Sequence, residues 1–277
     1  MPSLKDKVVI VTGAGSGIGY ETALAFAREG ARLVLADRRQ DRLPELAGQI
    51  EALGSEALVM PTDVSQREQV ERLVQAAVQR FGRVDVLVNN AGFALGATIE
   101  QTSEQDFREL WETNVLGVLY GMQAVLPVMR RQRSGHIISV SSAAGRIAFP
   151  GIGAYSASKA AVIALTEALR AEEAEAGTGV RVSAVLPIGT RTGFFESARL
   201  IEGTPVGPHG PTQSAEQVAR RIVACAKRPT AEVVPYRPLR LGIVLHALFP
   251  SLLTFIGRRE YRRLLRQRAA QSATDER

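Results

Sequence analysis

A chain of 277 residues with 45% apolar and 22% charged residues has the composition of a globular protein with a large core, so a disordered chain is not expected. The single cysteine, Cys225, excludes an internal disulfide and suits a reducing compartment. With no signal-peptide layout at the N-terminus, the expected location is cytoplasmic. The formal charge of +6 points to an anionic partner, but much of the excess follows Arg237 and describes the tail rather than the body of the chain.

Residues 7–11 form a short continuous apolar run, the pattern of a strand buried on both faces of a parallel sheet. A glycine-rich turn over residues 12–19 follows, and residues 20–28 have helical composition. Strand, glycine turn and helix is the arrangement a pyrophosphate needs. Glycines let the backbone come close, and the helix N-terminus offers free N–H groups and a positive dipole end. The second strand, 31–36, ends in Asp37, which can accept both ribose hydroxyls of NAD and repels the 2′-phosphate of NADP. Arg38 and Arg39 come next and can instead grip that phosphate, so NAD is favoured and NADP stays open.

The rhythm then repeats. Helix 42–53 leads to a third strand at 57–60, whose end places Asp63 either beside the adenine or at the N-cap of the helix over 70–81. The fourth strand, 84–88, ends in Asn89, Asn90, Ala91 and Gly92, a simple turn or a wall of the cofactor crevice. A long helix over 103–131 contains Asn114, a poor helix former, so its amide is either exposed or used. The fifth strand, 136–140, ends in Ser141 and Ser142. A sixth follows at 180–186, ending at Pro187, and a seventh at 231–234. This alternation predicts an α/β fold: a Rossmann-type doubly wound parallel sheet of about seven strands, with helices on both faces.

Between the fifth and sixth strands, Gly151 and Gly153 precede an Ala-rich helix running to Leu169. Tyr155 and Lys159 stand at i and i+4 and share a face of it. An ammonium beside a phenol favours the phenolate and is expected to lower the Tyr155 pKa, making it a general acid/base. The alternative is an ordinary helix with a half-buried tyrosine and a solvated lysine.

One domain is expected over 1–238. It includes a Gly- and Pro-rich lid at 190–211 with Phe194, Phe195 and Ile201 on its inner side. The remainder, 239–277, is an extension, apolar and then basic. With Pro250 inside its apolar part it falls short of a spanning helix. Tyr261, Leu264 and Leu265 on one face among arginines make a basic amphipathic helix. It either packs on its own domain or lies on an anionic membrane surface. Nucleic acid is not an expected partner, because the arginines are confined to this helix and no stacking platform accompanies them. His136, His209 and His246 lie far apart without ligand spacing, so no metal is expected.

Taken together, Thr12, Gly13, Gly17 and Gly19, then Asn89 to Gly92, Asn114, Ser142, and Tyr155 with Lys159 resemble the short-chain dehydrogenase/reductase family over roughly residues 5–234. The resemblance implies that Tyr155 is the acid/base, Ser142 holds the substrate oxygen and Lys159 binds the nicotinamide ribose. Asn114 would hold a water that relays protons from Lys159. Cofactor contacts are then expected from Gly13, Ser16, Gly17, Ile18 and Gly19; from Asp37, Arg38, Asp63 and Val64; and from Asn90, Ala91 and Gly92. At the nicotinamide end they are Tyr155, Lys159, Pro187, Gly189, Thr190 and Thr192. Ile188 departs from the family's usual Pro-Gly after the sixth strand, which puts the carboxamide contact of Thr192, with Thr190 as its rival, in question.

The expected activity is an NAD-dependent oxidoreductase acting on a secondary alcohol or ketone. Phe93, Leu95, Ile147, Phe149, Phe194 and Phe195 point to an apolar substrate. A nicotinamide-sensing binding protein on the same fold and an NADP-dependent carbonyl reductase are the competing expectations. The resemblance also implies a homodimer or homotetramer built on the long helices after the fourth and fifth strands.

Overall fold

The computed structural model describes residues 3–191, 199–201 and 211–251, and in the tail 255, 257–259, 261–263 and 265–266. Seven strands form one sheet: β1 (Val8–Thr12), β2 (Arg32–Asp37), β3 (Ala57–Pro61), β4 (Val86–Asn89), β5 (Gly135–Val140), β6 (Val180–Val185) and β7 (Glu232–Val233). Their spatial order is β7-β6-β5-β4-β1-β2-β3, and every neighbouring pair is parallel.

Both faces of the sheet are covered, which is why its strands read as continuous apolar runs. Within β1 the side chains alternate: Val9 and Val11 enter one core and Val8 and Ile10 the other. The first core packs against α1 (Gly17–Ala27), α2 (Leu43–Ala52) and α7 (Ala215–Lys227). The second packs against α3 (Arg67–Phe81), α5 (Gly117–Gln132) and α6 (Gly153–Glu175). Each fully buried Leu, Ile or Phe among these contributes about 1.5–3 kcal/mol. The expected doubly wound fold is the observed one.

The predicted helix over 103–131 is two helices. α4 (Glu104–Trp111) opens on Ser103, whose hydroxyl accepts the Asp106 N–H at 3.0 Å. A π-helical turn, Glu112–Leu116, then separates it from α5. There the Gly117 N–H reaches back to the Glu112 carbonyl, five residues away rather than four. The turn holds Asn114, fully buried, whose amide is bonded outside the helix to the Phe93 backbone.

Winding reverses on either side of β1, so the crevice of the sheet opens beyond the C-terminal ends of β1 and β4. Around it the ends of the expected lid are stitched down. Thr190–Arg191 pairs with Gln213–Ser214, and Arg199–Leu200 pairs with Leu95–Gly96. Arg199 adds ion pairs to Asp106 and Glu109, both at 2.7 Å. Thr192, Phe194 and Phe195 lie outside the described residues. The extension begins as α8 (Leu239–Leu248), which stops two residues before Pro250.

Candidate active site

A cleft of about 420 Å³ runs along the C-terminal edge of the sheet. Its floor at one end is the glycine turn after β1. Gly13 has φ +66°, a backbone open to glycine, and a Cβ there would lie 2.9 Å from Ala91 Cα. Ser16 precedes α1 without capping it, which leaves the first helical N–H groups for an anion. Gly13, Ser16, Gly17 and Ile18 all line the cleft. Gly19 does not: it is buried beneath the turn, where a Cβ would collide with the Gly13 carbonyl oxygen. The lack of a Cβ lets the helix start close on the Gly13 turn and the Asn90 amide.

Asp37 closes this end. One carboxylate oxygen accepts the Gly15 N–H at 2.9 Å and the other accepts the Arg39 N–H at 2.9 Å. Arg38 and Arg39 both line the cleft, and the Arg39 guanidinium donates to Ser16 Oγ at 2.7 Å. Asp63 and Val64 line the next stretch of wall. Asp63 accepts from both the N–H (2.9 Å) and the hydroxyl (2.8 Å) of Ser65, an Asx turn, while the residue capping α3 is Gln66.

Thr12, which sequence reasoning passed over as a site residue, ties the two loops of the crevice together. Its hydroxyl accepts the N–H groups of Asn90 (3.0 Å) and Ala91 (3.1 Å) and donates to the Val88 carbonyl at 3.3 Å. The Asn90 amide returns the link to the carbonyls of Thr12 (3.0 Å) and Gly13 (3.2 Å). A hydroxyl-bearing residue at the end of an otherwise aliphatic strand was the available signal. Asn90, Ala91 and Gly92 line the cleft as expected.

At the other end stand Ser142, Tyr155 and Lys159. Ser142 sits just past β5, its Oγ accepting the Ala144 N–H at 3.1 Å, and it shares a hydrogen bond with the Tyr155 phenol. Lys159, one turn along α6, donates to the Val140 carbonyl at 3.1 Å and lies 5.8 Å from the centroid of the Tyr155 ring. Ser141 donates to the Lys159 carbonyl at 2.7 Å.

The expected lowering of the Tyr155 pKa by Lys159 is not what this geometry gives. Burial pushes the phenol up to about 12, with the Ser142 hydrogen bond acting in the opposite direction, and burial pushes Lys159 down to about 8. Poor solvation destabilises the charged form of each group, the phenolate of Tyr155 and the ammonium of Lys159.

Asn114 does not line the cleft, but a Cβ at Gly92 would lie 2.8 Å from Asn114 Oδ1 and 3.5 Å from Lys159 Nζ, so both flank Gly92. The amide is heavily used: Oδ1 accepts the Phe93 N–H (3.0 Å), and Nδ2 donates to the Phe93 carbonyl (3.0 Å) and Ser158 Oγ (3.1 Å). Only the second lone pair of Oδ1 remains for a water. Thr113, its neighbour in the π-turn, does line the cleft.

Pro187, Ile188, Gly189 and Thr190 form the wall after β6. The Thr190 hydroxyl donates to the Ile188 carbonyl at 2.9 Å. Of the residues expected to make the cleft apolar, Phe93, Ile147 and Phe149 line it, whereas Leu95 is buried in a neighbouring cluster. Tyr236, Pro238 and Leu239 were missed: they follow the last strand and complete the mouth.

A glycine turn at an uncapped helix start, an acid at the end of β2 and a Ser-Tyr-Lys group thus share one cleft at the edge of a Rossmann-type sheet. The sequence model of the family described as short chain dehydrogenase matches residues 7–202, and the chain belongs to that family. It is 44% identical over 188 residues to an uncharacterized oxidoreductase of Staphylococcus saprophyticus, covering 68% of this chain and 75% of that one. It is 43% identical over 195 residues to an uncharacterized oxidoreductase of Listeria monocytogenes, covering 70% and 79%. Among solved structures, a short chain dehydrogenase/reductase from Burkholderia phymatum in complex with NAD superposes with a TM-score of 0.83 at 30% identity, over 91% of this chain and 97% of that one. An alcohol dehydrogenase from the archaeon Thermococcus sibiricus, complexed with 5-hydroxy-NADP, gives 0.73 at 30% identity, over 83% and 96%.

Proposed function

We propose that this oxidoreductase uses NAD to interconvert a secondary alcohol and its ketone, with an apolar substrate. The observation that carries this reading is the hydroxyl pair of half-buried Ser142 and buried Tyr155 beside Lys159, in the same cleft as the glycine turn and Asp37. Bound in this cleft, a nicotinamide would supply the hydride acceptor for the carbinol carbon and, reduced, the hydride donor for the ketone. Gly13, Ser16, Gly17 and Ile18 would hold the pyrophosphate, Asp37 and Arg38 the adenosine ribose, Asp63 and Val64 the adenine, and Lys159 the nicotinamide ribose.

The chain's own residues manage the proton. In reduction, Tyr155 gives its phenolic proton to the ketone oxygen as the carbonyl carbon gains hydride. In oxidation, the phenolate takes the hydroxyl proton as hydride leaves the same carbon. Ser142 donates a hydrogen bond where negative charge gathers on that oxygen, a contribution of about 3 kcal/mol at sites of this kind. Lys159, through a water on Asn114, refills or drains the Tyr155 proton. Ile147, Phe149, Ile152 and Leu239 offer an apolar wall for the rest of the substrate. Asp37, whose charge repels a 2′-phosphate, favours NAD.

Tyr155→Phe tests this reading. Turnover should fall by about 10²-fold or more, while NAD affinity, measured by calorimetry, stays within about twofold because the ring still packs. Near-normal rates in the Phe variant would remove Tyr155 from the mechanism. Tight NAD binding with no turnover over a wide alcohol and ketone panel would instead support a sensing protein.

A further inference from the structure

The extension carries a surface that the proposed chemistry does not use. α8 packs one side onto the domain: Leu239 lines the cleft, Ile243 meets Ile163, Ala184 and Leu186, and Gly242 lies against Ile147. Its opposite side is equally apolar. Leu241, Val244 and Leu248, spaced as one helical stripe, are 64%, 53% and 66% exposed. Phe249 (57%) and Phe255 (58%), next along the chain, are exposed as well. A helix lying on its own domain in water carries polar residues on its outer side, and a contiguous apolar patch there marks a surface that binds something.

Charge decides between the occupants. Between residues 239 and 268 the sequence carries seven arginines and one carboxylate, Glu260. Arg240, Arg258, Arg259, Arg262 and Arg266 are exposed. A second copy packed on this patch would bring two arginine-rich tails, each with a single carboxylate, to one interface. A sheet of anionic lipid meets both features, taking the apolar stripe among its acyl chains and the guanidinium groups at its phosphates.

We propose that the extension docks this chain on an anionic membrane surface, with Leu241, Val244 and Leu248 inserted and the arginines at the headgroups. Among the described residues no helix is long and apolar enough to cross a membrane, so the docking is peripheral. Tyr236, Pro238 and Leu239 line the cleft, and Gly257 is packed near Phe149 and Pro150, so the docked surface adjoins the cleft mouth. Granting the function proposed above, an apolar substrate dissolved in the bilayer then has a short path to Tyr155.

The full chain is sedimented with phosphatidylcholine vesicles, with and without phosphatidylserine, at low and physiological salt. Association should require phosphatidylserine and weaken with salt. It should fall about a hundredfold when Arg258, Arg259 and Arg262 become Gln, at roughly 1 kcal/mol per cation. The variant L241S/V244S/L248S should lose it while melting with the wild type, since these side chains face outward. Failure to associate with either vesicle, or association that both variants retain, overturns the proposal. So does a wild-type dimer in sedimentation velocity that the Ser variant dissociates, because the stripe is then an interface between copies. None of these readouts involves turnover, so they stand or fall apart from the chemistry of the cleft.

Discussion

The Lys159 ammonium lies over the Tyr155 ring, 5.8 Å from its centroid, and donates to the Val140 carbonyl at 3.1 Å. The two side chains share a face of α6, as their spacing requires, yet burial sets the proton affinity of each. Tyr155 is pushed up to about 12 and Lys159 down to about 8. At pH 7 the pair therefore holds a neutral phenol, the form that donates a proton to a ketone.

A pH profile follows from that state. Ketone reduction needs the protonated phenol, refilled from Lys159, so it should be nearly flat from pH 6 to about 8 and decline above that as Lys159 loses its proton, still well below the Tyr155 value of about 12. Alcohol oxidation needs the phenolate, so its kcat/KM should climb by up to about tenfold per pH unit over the same range. Steady-state rates in both directions across this range check it. An oxidation rate independent of pH would show that the phenol ionises far more readily than its burial indicates.

Lys159→Met should separate stability from activity. A group whose folded pKa lies near 8, below its ordinary 10.5, costs stability while it must be charged, and the cost is relieved as pH rises from about 8 to 10.5. Removing the ammonium should raise unfolding free energy at pH 7 by about 1–2 kcal/mol, after allowing for the lost bond to Val140. The gain should shrink toward pH 10, and turnover should collapse. Urea titrations at pH 7 and pH 10 measure the difference; a variant less stable than wild type at pH 7 contradicts it.

Asp37→Ser should redirect cofactor choice. The carboxylate sits between the Gly15 and Arg39 N–H groups, with Arg38 and Arg39 also lining the cleft. Without it, a 2′-phosphate meets two arginines and no opposing charge. The ratio of kcat/KM for NADP over NAD should rise about tenfold or more, the size of a charge contact of 1–4 kcal/mol. An unchanged ratio would place the adenosine ribose elsewhere.

Sequence patterning makes much of this site legible. The Tyr155–Lys159 spacing, the glycines after β1 and the acid closing β2 are local features, and a helix or strand carries them to predictable faces. The Thr12 clamp and the path of Leu239 back to the cleft are contacts between residues far apart in the chain. No periodicity reports such contacts. Asn114 falls between the two: its poor helix propensity marked it, but only its bonds to Phe93 and Ser158 gave the reason.

His136 should impose an acid limit on stability. It is buried in β5 with its Nε2 2.8 Å from Ser183 Oγ. Burial, assisted by the nearby Arg181 charge, lowers its pKa from 6.5 to about 4. The unfolded chain therefore binds a proton that the fold refuses, and stability falls as pH drops from about 6.5 to 4, by up to about 3 kcal/mol. His136→Gln should be less stable at pH 7 yet lose less between pH 7 and 4.5 in urea titrations. An equal loss in both proteins would assign the acid sensitivity to other groups.

The linear chain by itself determined the alternation of strands and helices, and hence the parallel sheet. It also determined which side chains stand at the strand ends where a cofactor crevice must open, because period and turn chemistry are written over a few residues at a time. Only the tertiary structure decided that Tyr155 and Lys159 are both starved of water, that Gly19 serves packing and that α8 turns an apolar stripe outward. Solvation depends on everything packed around a group, and those neighbours come from all along the chain.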